Sequence, residues 1–522
     1  MHNRKASTLK ITFIAVALSL TLQCLHAQVK TSWAFNYRFG ELSPNIGLCI
    51  ITDGLGNVYN TGSSAGTPGR NDMVLCKLSS NGNVHWLVRF ADTITPYPNN
   101  SNGGGSLLLD SSGRIFVGGS RLWQYDMSGN LNWSLLPGER KGFPSISFDK
   151  NENILDSKVH DNSSFLIRKY SSEGDSIWER QFRPTGTIWA YWKDATIDFE
   201  GSIVTTGYMN KIGFGAVYDC MTVKYSIDGE LLWYDRIDEG NETFGYAVAA
   251  DNNGNIYVAG EKDLNILTVK YAPNGDTLWQ REFNGGSGDI GFDIQVDSLG
   301  NSYVSGVSGG LGIVLIKYDP SGNLLWLRNH TDVPFSVFSS IVRIDSQGNP
   351  YLAFSINSSS GRYEYAVAKY DSEGDLLWLG RYNYNNQYCE VYDFTIDRNF
   401  DVYVTGRCGS YLSTVKLVQY MTSSMASENS LIQEYELLGN FPNPFNPVTQ
   451  IAFRLDKACT AKLEVHDALG RKIATLLNTW MPSGRHKVAF DSRSYGGMSS
   501  GVYFYTLNAG EYSKTLRMVV LK

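Results

Sequence analysis

Between residues 30 and 420 one pattern returns eight times, and such self-similarity limits the chain to a stacked or closed array of one small unit. The clearest copy opens on Asp251, passes Gly254, Tyr257 and Gly260, and continues through Lys270, Tyr271 and Gly275 to Trp279. The aspartate recurs as Asp53, Asp110, Asp149, Asp198, Asp251, Asp297, Asp345 and Asp397. The lysine position recurs as Lys77, Gln124, Lys169, Lys224, Lys270, Lys317, Lys369 and Lys416. Nine residues after it stands Trp86, Trp133, Trp178, Trp233, Trp279, Trp326 or Trp378, and the eighth copy has no tryptophan there.

Each repeat of 45 to 55 residues holds four short β runs, divided by turn pairs such as Asn81-Gly82 and Asn274-Gly275 that supply the positive φ of tight hairpins. Four antiparallel strands per repeat, set radially, make a propeller blade. Eight blades are therefore expected, or seven if the short copy around Trp123 is degenerate. The strand missing from the last copy stands at the other end of the array: Trp33 to Phe39 is like the stretches that follow Trp86 and Trp279. An N-terminal strand that completes the last blade closes the circle without unpaired edges at the seam. Composition agrees, since 52 glycines with 13% aromatic and only 18% charged residues exclude a disordered chain, a coiled coil and most helical bundles.

These repeats resemble the bacterial β-propeller repeat family called SBBP, whose blades carry the same runs around the aspartate and between the lysine and the tryptophan. The resemblance covers about three quarters of the chain. It implies a fold and leaves activity open, because such scaffolds host many functions.

The first 27 residues carry Arg4, Lys5 and Lys10, no acidic residue, and an apolar run from Ile11 to Leu22 that is too short to span a bilayer. This is a secretory signal, with cleavage expected after Ala27; a lipoprotein reading through Cys24 meets a poorly suited Gln23 before it. No other apolar stretch reaches 18 residues, so no membrane-crossing helix is expected in the mature chain. Residues 28–432 carry a net charge of −13, which disfavours nucleic acid and anionic lipid as partners. Six cysteines follow the signal, and Cys389 and Cys408, flanking one strand pair, are the expected disulfide; the alternative is buried thiols.

After a Ser-rich linker at 421–433 the composition changes. The proline-dense run from Asn440 to Pro447 cannot be interior strand, and short alternating runs follow at 450–455, 462–466, 488–490, 502–507 and 515–521. A small immunoglobulin-like β-sandwich over 434–522 is expected. This module resembles the C-terminal sorting domain of the type IX secretion system of Bacteroidetes-type bacteria. The matching residues are Tyr435 through Pro447, Leu469 to Arg471, Ser483 to His486, Ser500 to Phe504 and Lys514 to Lys522. The resemblance implies the type IX machinery as a partner, and an address that is secreted, extracellular or on the outer-membrane surface.

The chain offers few residue patterns that point to chemistry. Two Gly-x-Ser-x-Gly strings, at 62–66 and 306–310, follow a strand and precede no helix, so neither reads as a nucleophile elbow. The five mature histidines lie far apart and suggest no zinc site or relay. Propeller dehydrogenases that use pyrroloquinoline quinone share a repeated tryptophan, but this chain has no adjacent cysteine pair and no cofactor is expected. The repeated tryptophans read as clamps between blades.

Departures from the repeat carry more. In the innermost strands period-two alternation puts Asp194, Asp293, Gln295, Arg343 and Asp393 on the face toward the channel. The three carboxylates, in alternate blades, could chelate a hard cation such as calcium, receive a basic group, or stand solvated without a role. Trp189, Tyr191 and Trp192 precede the fourth blade's first strand, where they either stack on a sugar or partner or pack under a loop. The expected function is a non-enzymatic scaffold that binds a glycan or a protein. The alternatives are an extracellular hydrolase or lyase acting on polysaccharide or peptide, and a structural envelope or adhesion component.

Overall fold

The computed structural model describes residues 26–520 apart from short internal stretches, the longest being 92–104, 332–339 and 423–434. The expected signal peptide lies outside the described residues up to residue 25, and the expected linker does so from residue 423. The chain divides into two compact units, Met1–Thr422 and Ser423–Lys522.

The first unit consists, among the described residues, of eight four-stranded antiparallel sheets. Their innermost strands are Ile46–Thr52, Ser106–Leu109, Lys141–Phe148, Thr187–Ile197, Thr243–Ala250, Ile290–Val296, Ser340–Ile344 and Cys389–Ile396. Each neighbours the next in this order, and the last neighbours the first. A closed ring of radial sheets is a β-propeller; the sheets are numbered one to eight by these strands. Sheet eight takes its outermost strand from the N-terminal end, His26–Tyr37 pairing with Tyr411–Thr422.

The repeated residues explain themselves locally. Each repeat aspartate heads the tight turn between the first two strands: Asp251 Oδ1 accepts the N–H groups of Asn253 and Asn255, and its Oδ2 accepts Asn255 Nδ2 and the Tyr257 hydroxyl. The repeat lysine then neutralises that buried carboxylate in several sheets, as Lys169 does to Asp149 at 2.8 Å and Lys224 to Asp198 at 2.7 Å. Burying either charge alone would be costly, so the two recur together.

The tryptophans work between sheets. Trp279 Nε1 donates to Pro320 O at 3.0 Å in the following sheet, and Lys270 Nζ donates to the same carbonyl. Trp86, Trp233 and Trp326 repeat this bond to Met127, Pro273 and Ser372. The indole also lies against the glycine of the neighbouring turn, where a Cβ on Gly322 would come within 2.8 Å of Trp279 Cδ2. Trp33 makes the equivalent bond to Ser80 O, so the N-terminal strand clamps sheet eight onto sheet one. Apolar clusters fill the spaces between sheets, for instance Ala247, Tyr257 and Ile266 of sheet five against Ile294, Val304 and Ile316 of sheet six. A disulfide joins Cys389 to Cys408, which face each other directly across the first two strands of sheet eight.

The second unit is a small sandwich. A three-stranded sheet (Tyr435–Phe441, Val448–Leu455, Gly484–Asp491) and a four-stranded one (Lys472–Met481, Cys459–His466, Gly501–Ala509, Tyr512–Val520) share one core that includes Ile451, Phe453, Leu463, Tyr505 and Met518. The strand Lys472–Met481 escapes a period-two reading because Ile473, Leu476 and Leu477 recur at three and four residues.

Candidate functional site

The innermost strand of each blade has a neighbour on one edge only, so the N–H groups of its other edge face the ring and need acceptors. Side chains supply them. Asp194 Oδ2 accepts the Val248 N–H at 2.9 Å, Asp293 Oδ2 the Val342 N–H at 3.0 Å, and Asp393 Oδ2 the Ile50 N–H at 3.0 Å. Each bond runs from one sheet to the innermost strand of the next, and the third crosses the seam from sheet eight to sheet one. In sheet two Ser106 takes the same place, its Oγ accepting the Ile146 N–H at 3.2 Å. These four acceptors come from sheets two, four, six and eight, and Ser355 of sheet seven adds another bond, its Oγ accepting the Val391 N–H of sheet eight at 3.2 Å.

The second oxygen of Asp194 and of Asp293 accepts the N–H of the following residue, Ala195 at 2.8 Å and Ile294 at 2.9 Å. Around Asp194, Asp293 and Asp393 the innermost strand bulges, with a register shift immediately before each aspartate, and the extra residue turns the carboxylate toward the next sheet. Arg343 in sheet seven joins two of the three carboxylates, reaching Asp293 Oδ2 at 3.0 Å and Asp393 Oδ1 at 3.2 Å. Gln295 lies two residues past Asp293 and is partly exposed.

Burial raises all three carboxyl pKa values, and the bonds oppose it to different degrees. Arg343 offsets part of the rise at Asp293 and Asp393. Asp194 has no ion pair with Arg343; burial lifts it to about 6, with the Asp293 charge adding and the Val248 and Ala195 N–H groups opposing. Burial also works against the Arg343 charge, but Asp293 and Asp393 more than compensate and its pKa is raised. Among the described residues no group of three or more His, Cys, Asp or Glu stands ready to hold a metal ion.

The aromatic residues divide. Trp189, Tyr191 and Trp192 lie inside the innermost strand of sheet four, which at 11 residues is the longest of the eight. Trp189 and Tyr191 are 40% and 42% exposed. Trp192 points the other way and packs on Phe165 and Phe182 of sheet three, with ring centroids at 4.6 and 6.2 Å. Trp189 and Tyr191 thus face solvent while the half-buried Trp192 packs, so the two alternatives divide among the three residues.

The pair has neighbours that the sequence does not single out. Tyr191 stacks on Tyr208 at 5.2 Å, and Tyr208 meets Tyr218, Phe244 and Tyr246 edge-on at 5.6, 4.9 and 6.2 Å. Lys193, the bulged residue before Asp194, sets its ammonium 5.4 Å from the Tyr208 ring and 5.7 Å from that of Tyr246. These rings come from sheets four and five, and no linear pattern links them. The available signal was the strand alternation itself, which sets Trp189, Tyr191 and Lys193 at two-residue intervals on one face.

Comparison with known proteins addresses both units. A β-propeller repeat family matches residues 238–261, and a secretion system C-terminal sorting domain matches residues 440–521. No curated protein matches the chain. Among solved structures, Sqt1 from Chaetomium thermophilum is similar at 11% identity and a TM-score of 0.48, covering 75% of this chain and 100% of that one. A protein of unknown function from Bacteroides caccae is similar at 16% identity and a TM-score of 0.33, covering 50% of this chain and 90% of that one. A protein from Lactobacillus plantarum is similar at 12% identity and a TM-score of 0.40, covering 66% and 100%. Likenesses this remote say nothing about a ligand. The first unit is a β-propeller in which residues 238–261 match a β-propeller repeat, the second carries a type IX C-terminal sorting domain, and the chain is secreted or displayed at the cell surface.

Proposed function

We propose that this secreted propeller is a carbohydrate-binding scaffold that holds a glycan on the exposed aromatic edge of sheet four and does not turn it over. The observation that carries this reading is the exposure of Trp189 and Tyr191, on one face of a strand that outruns every other innermost strand. Large aromatic side chains left in water on a rigid strand forfeit burial that folding would reward, and their flat faces suit a sugar ring. Tyr191 is backed by Tyr208, so the platform needs little ordering when a ligand arrives. The address supports the reading, because a surface protein meets polysaccharide.

A hydrolase or lyase reading draws on Asp194, whose carboxyl is lifted to about 6, a range suited to a general acid. Both its oxygens are committed to backbone N–H groups, so a proton transfer there would disturb the tie to sheet five. The test is calorimetric titration of the secreted protein and its Trp189→Ala, Tyr191→Ala double variant with oligosaccharides, alongside chromatography of the sugars after long incubation. Binding that the double variant loses by at least about 30-fold, with sugars unchanged, supports the scaffold reading. Cleavage that survives the double variant but not Asp194→Ala would establish the hydrolase. A protein captured at the same edge, with no sugar bound, would overturn the glycan.

A further inference from the structure

We propose that the glycan unit taken by this edge is an acidic sugar, its carboxylate received by Lys193 while its ring lies on Tyr191 or Trp189. The inference rests on the glycan reading above and adds the chemical class of the ligand.

Lys193 differs in its company from five described lysines of the propeller. Lys169, Lys224, Lys262, Lys369 and Lys416 each face a carboxylate at 2.6 to 3.3 Å. Lys193 has no ion pair among the described residues, and its ammonium is steadied by the faces of Tyr208 and Tyr246 alone. It is exposed, and it follows Trp189 and Tyr191 at two-residue steps, so one face of one strand offers two stacking rings and a positive charge. Tyr191 and Lys193 also share Tyr208 as a common support. Partial burial lowers the Lys193 pKa, which means that an anion beside it would recover solvation the side chain now lacks.

The surroundings restrict which anion fits. Residues 28–432 carry a net charge of −13, and on the neighbouring sheet Glu261 reaches the Tyr246 hydroxyl at 3.5 Å, with Glu242 near enough to raise its pKa. A densely charged polymer would meet that field along its length. A single carboxylate needs only the contact itself, since exposed charges are screened beyond about 8 Å at physiological salt. A uronic acid with neutral neighbours suits this spot better than a polysulfated chain.

The probe is a tetrasaccharide with one galacturonic acid unit, compared by calorimetry with its carboxyl-reduced neutral counterpart on the secreted protein. The acidic form is expected to bind about tenfold more tightly, with a margin that shrinks as salt is added. Lys193→Met should erase that margin and leave the neutral sugar bound as before, which also shows the variant is folded. Lys193→Arg should retain the margin. Equal affinity for both sugars, or a margin untouched by Lys193→Met, would overturn the inference and leave the glycan reading standing. Binding of neither sugar nor any other oligosaccharide would remove both.

Discussion

Replacing Asp194 with alanine takes the acceptor from the Val248 N–H, whereas replacing it with serine returns the kind of hydroxyl that Ser106 uses at the matching place in sheet two. Val248 is 5% exposed and its N–H lies on the strand edge that has no neighbouring strand, so water cannot readily replace the lost oxygen. An orphaned buried N–H costs about 1–3 kcal/mol. If that cost is felt where the bond was, the local opening equilibrium rises by about 5- to 150-fold. Hydrogen–deuterium exchange of a peptide covering Thr243–Ala250 reads this directly, with Ile256–Lys262 as the internal reference. Asp194→Ala should speed exchange in the first peptide and not the second, and Asp194→Ser should stay within a few-fold of the parent. Equal exchange in all three proteins, or serine behaving like alanine, would refute the tie between sheets four and five. Faster exchange spread evenly round the ring would show that the loss is global and the local argument wrong.

The remaining predictions concern stability. A folded-state carboxyl raised to about 6 from 3.8 means that the native ring holds the Asp194 proton more firmly than the unfolded chain does. Its contribution is complete below about pH 3.8 and is lost as pH rises through about 6, up to about 3 kcal/mol, so urea midpoints of the parent should fall over that window more than those of Asp194→Ser. Parallel curves would contradict this. Gly322 and Gly348 both have positive φ, +80° and +84°, but only Gly322 faces an indole, while nothing lies within 4 Å of a Cβ on Gly348. Alanine at 348 should cost about 1–2 kcal/mol in backbone strain, and alanine at 322 a further ~1–3 kcal/mol for displacing Trp279; equal urea midpoints would disprove the clamp. The Cys389–Cys408 bridge spans 19 residues, so its removal by Cys408→Ala with Cys389→Ala should lower stability by about 3 kcal/mol in denaturant titration. An unchanged midpoint would mean that the two thiols contribute only packing.

Much of the architecture was legible in the chain because its causes are local. The Asp-x-x-Gly turn acts within a few residues of itself, while the glycine after the lysine and the tryptophan beyond it meet between sheets but recur at a fixed spacing, and repetition multiplied that weak signal along the chain. The proline-rich entry and the Gly-Val-Tyr-Phe run announced the sorting module in the same way.

What Asp194, Asp293 and Asp393 do there could not be read in advance, because their N–H partners lie 54, 49 and 343 residues away and meet them only when the ring closes. The residues four before each repeat aspartate did hold a trace, with Ser106, Asp194, Asp293 and Asp393 in every second copy, but only the bonds turned that trace into a function. Trp192 and Tyr191 are neighbours of similar chemistry, and one packs half-buried against sheet three while the other faces water. Lys193 reads in the chain as an ordinary surface lysine next to an aspartate. The sequence determined the blades, their turns and the secretory address, since these follow from backbone preference and side-chain period. Only the packing of sheet on sheet decided which carboxylates are ties and that Lys193 lies over aromatic rings, because those depend on contacts between sheets that no local pattern encodes.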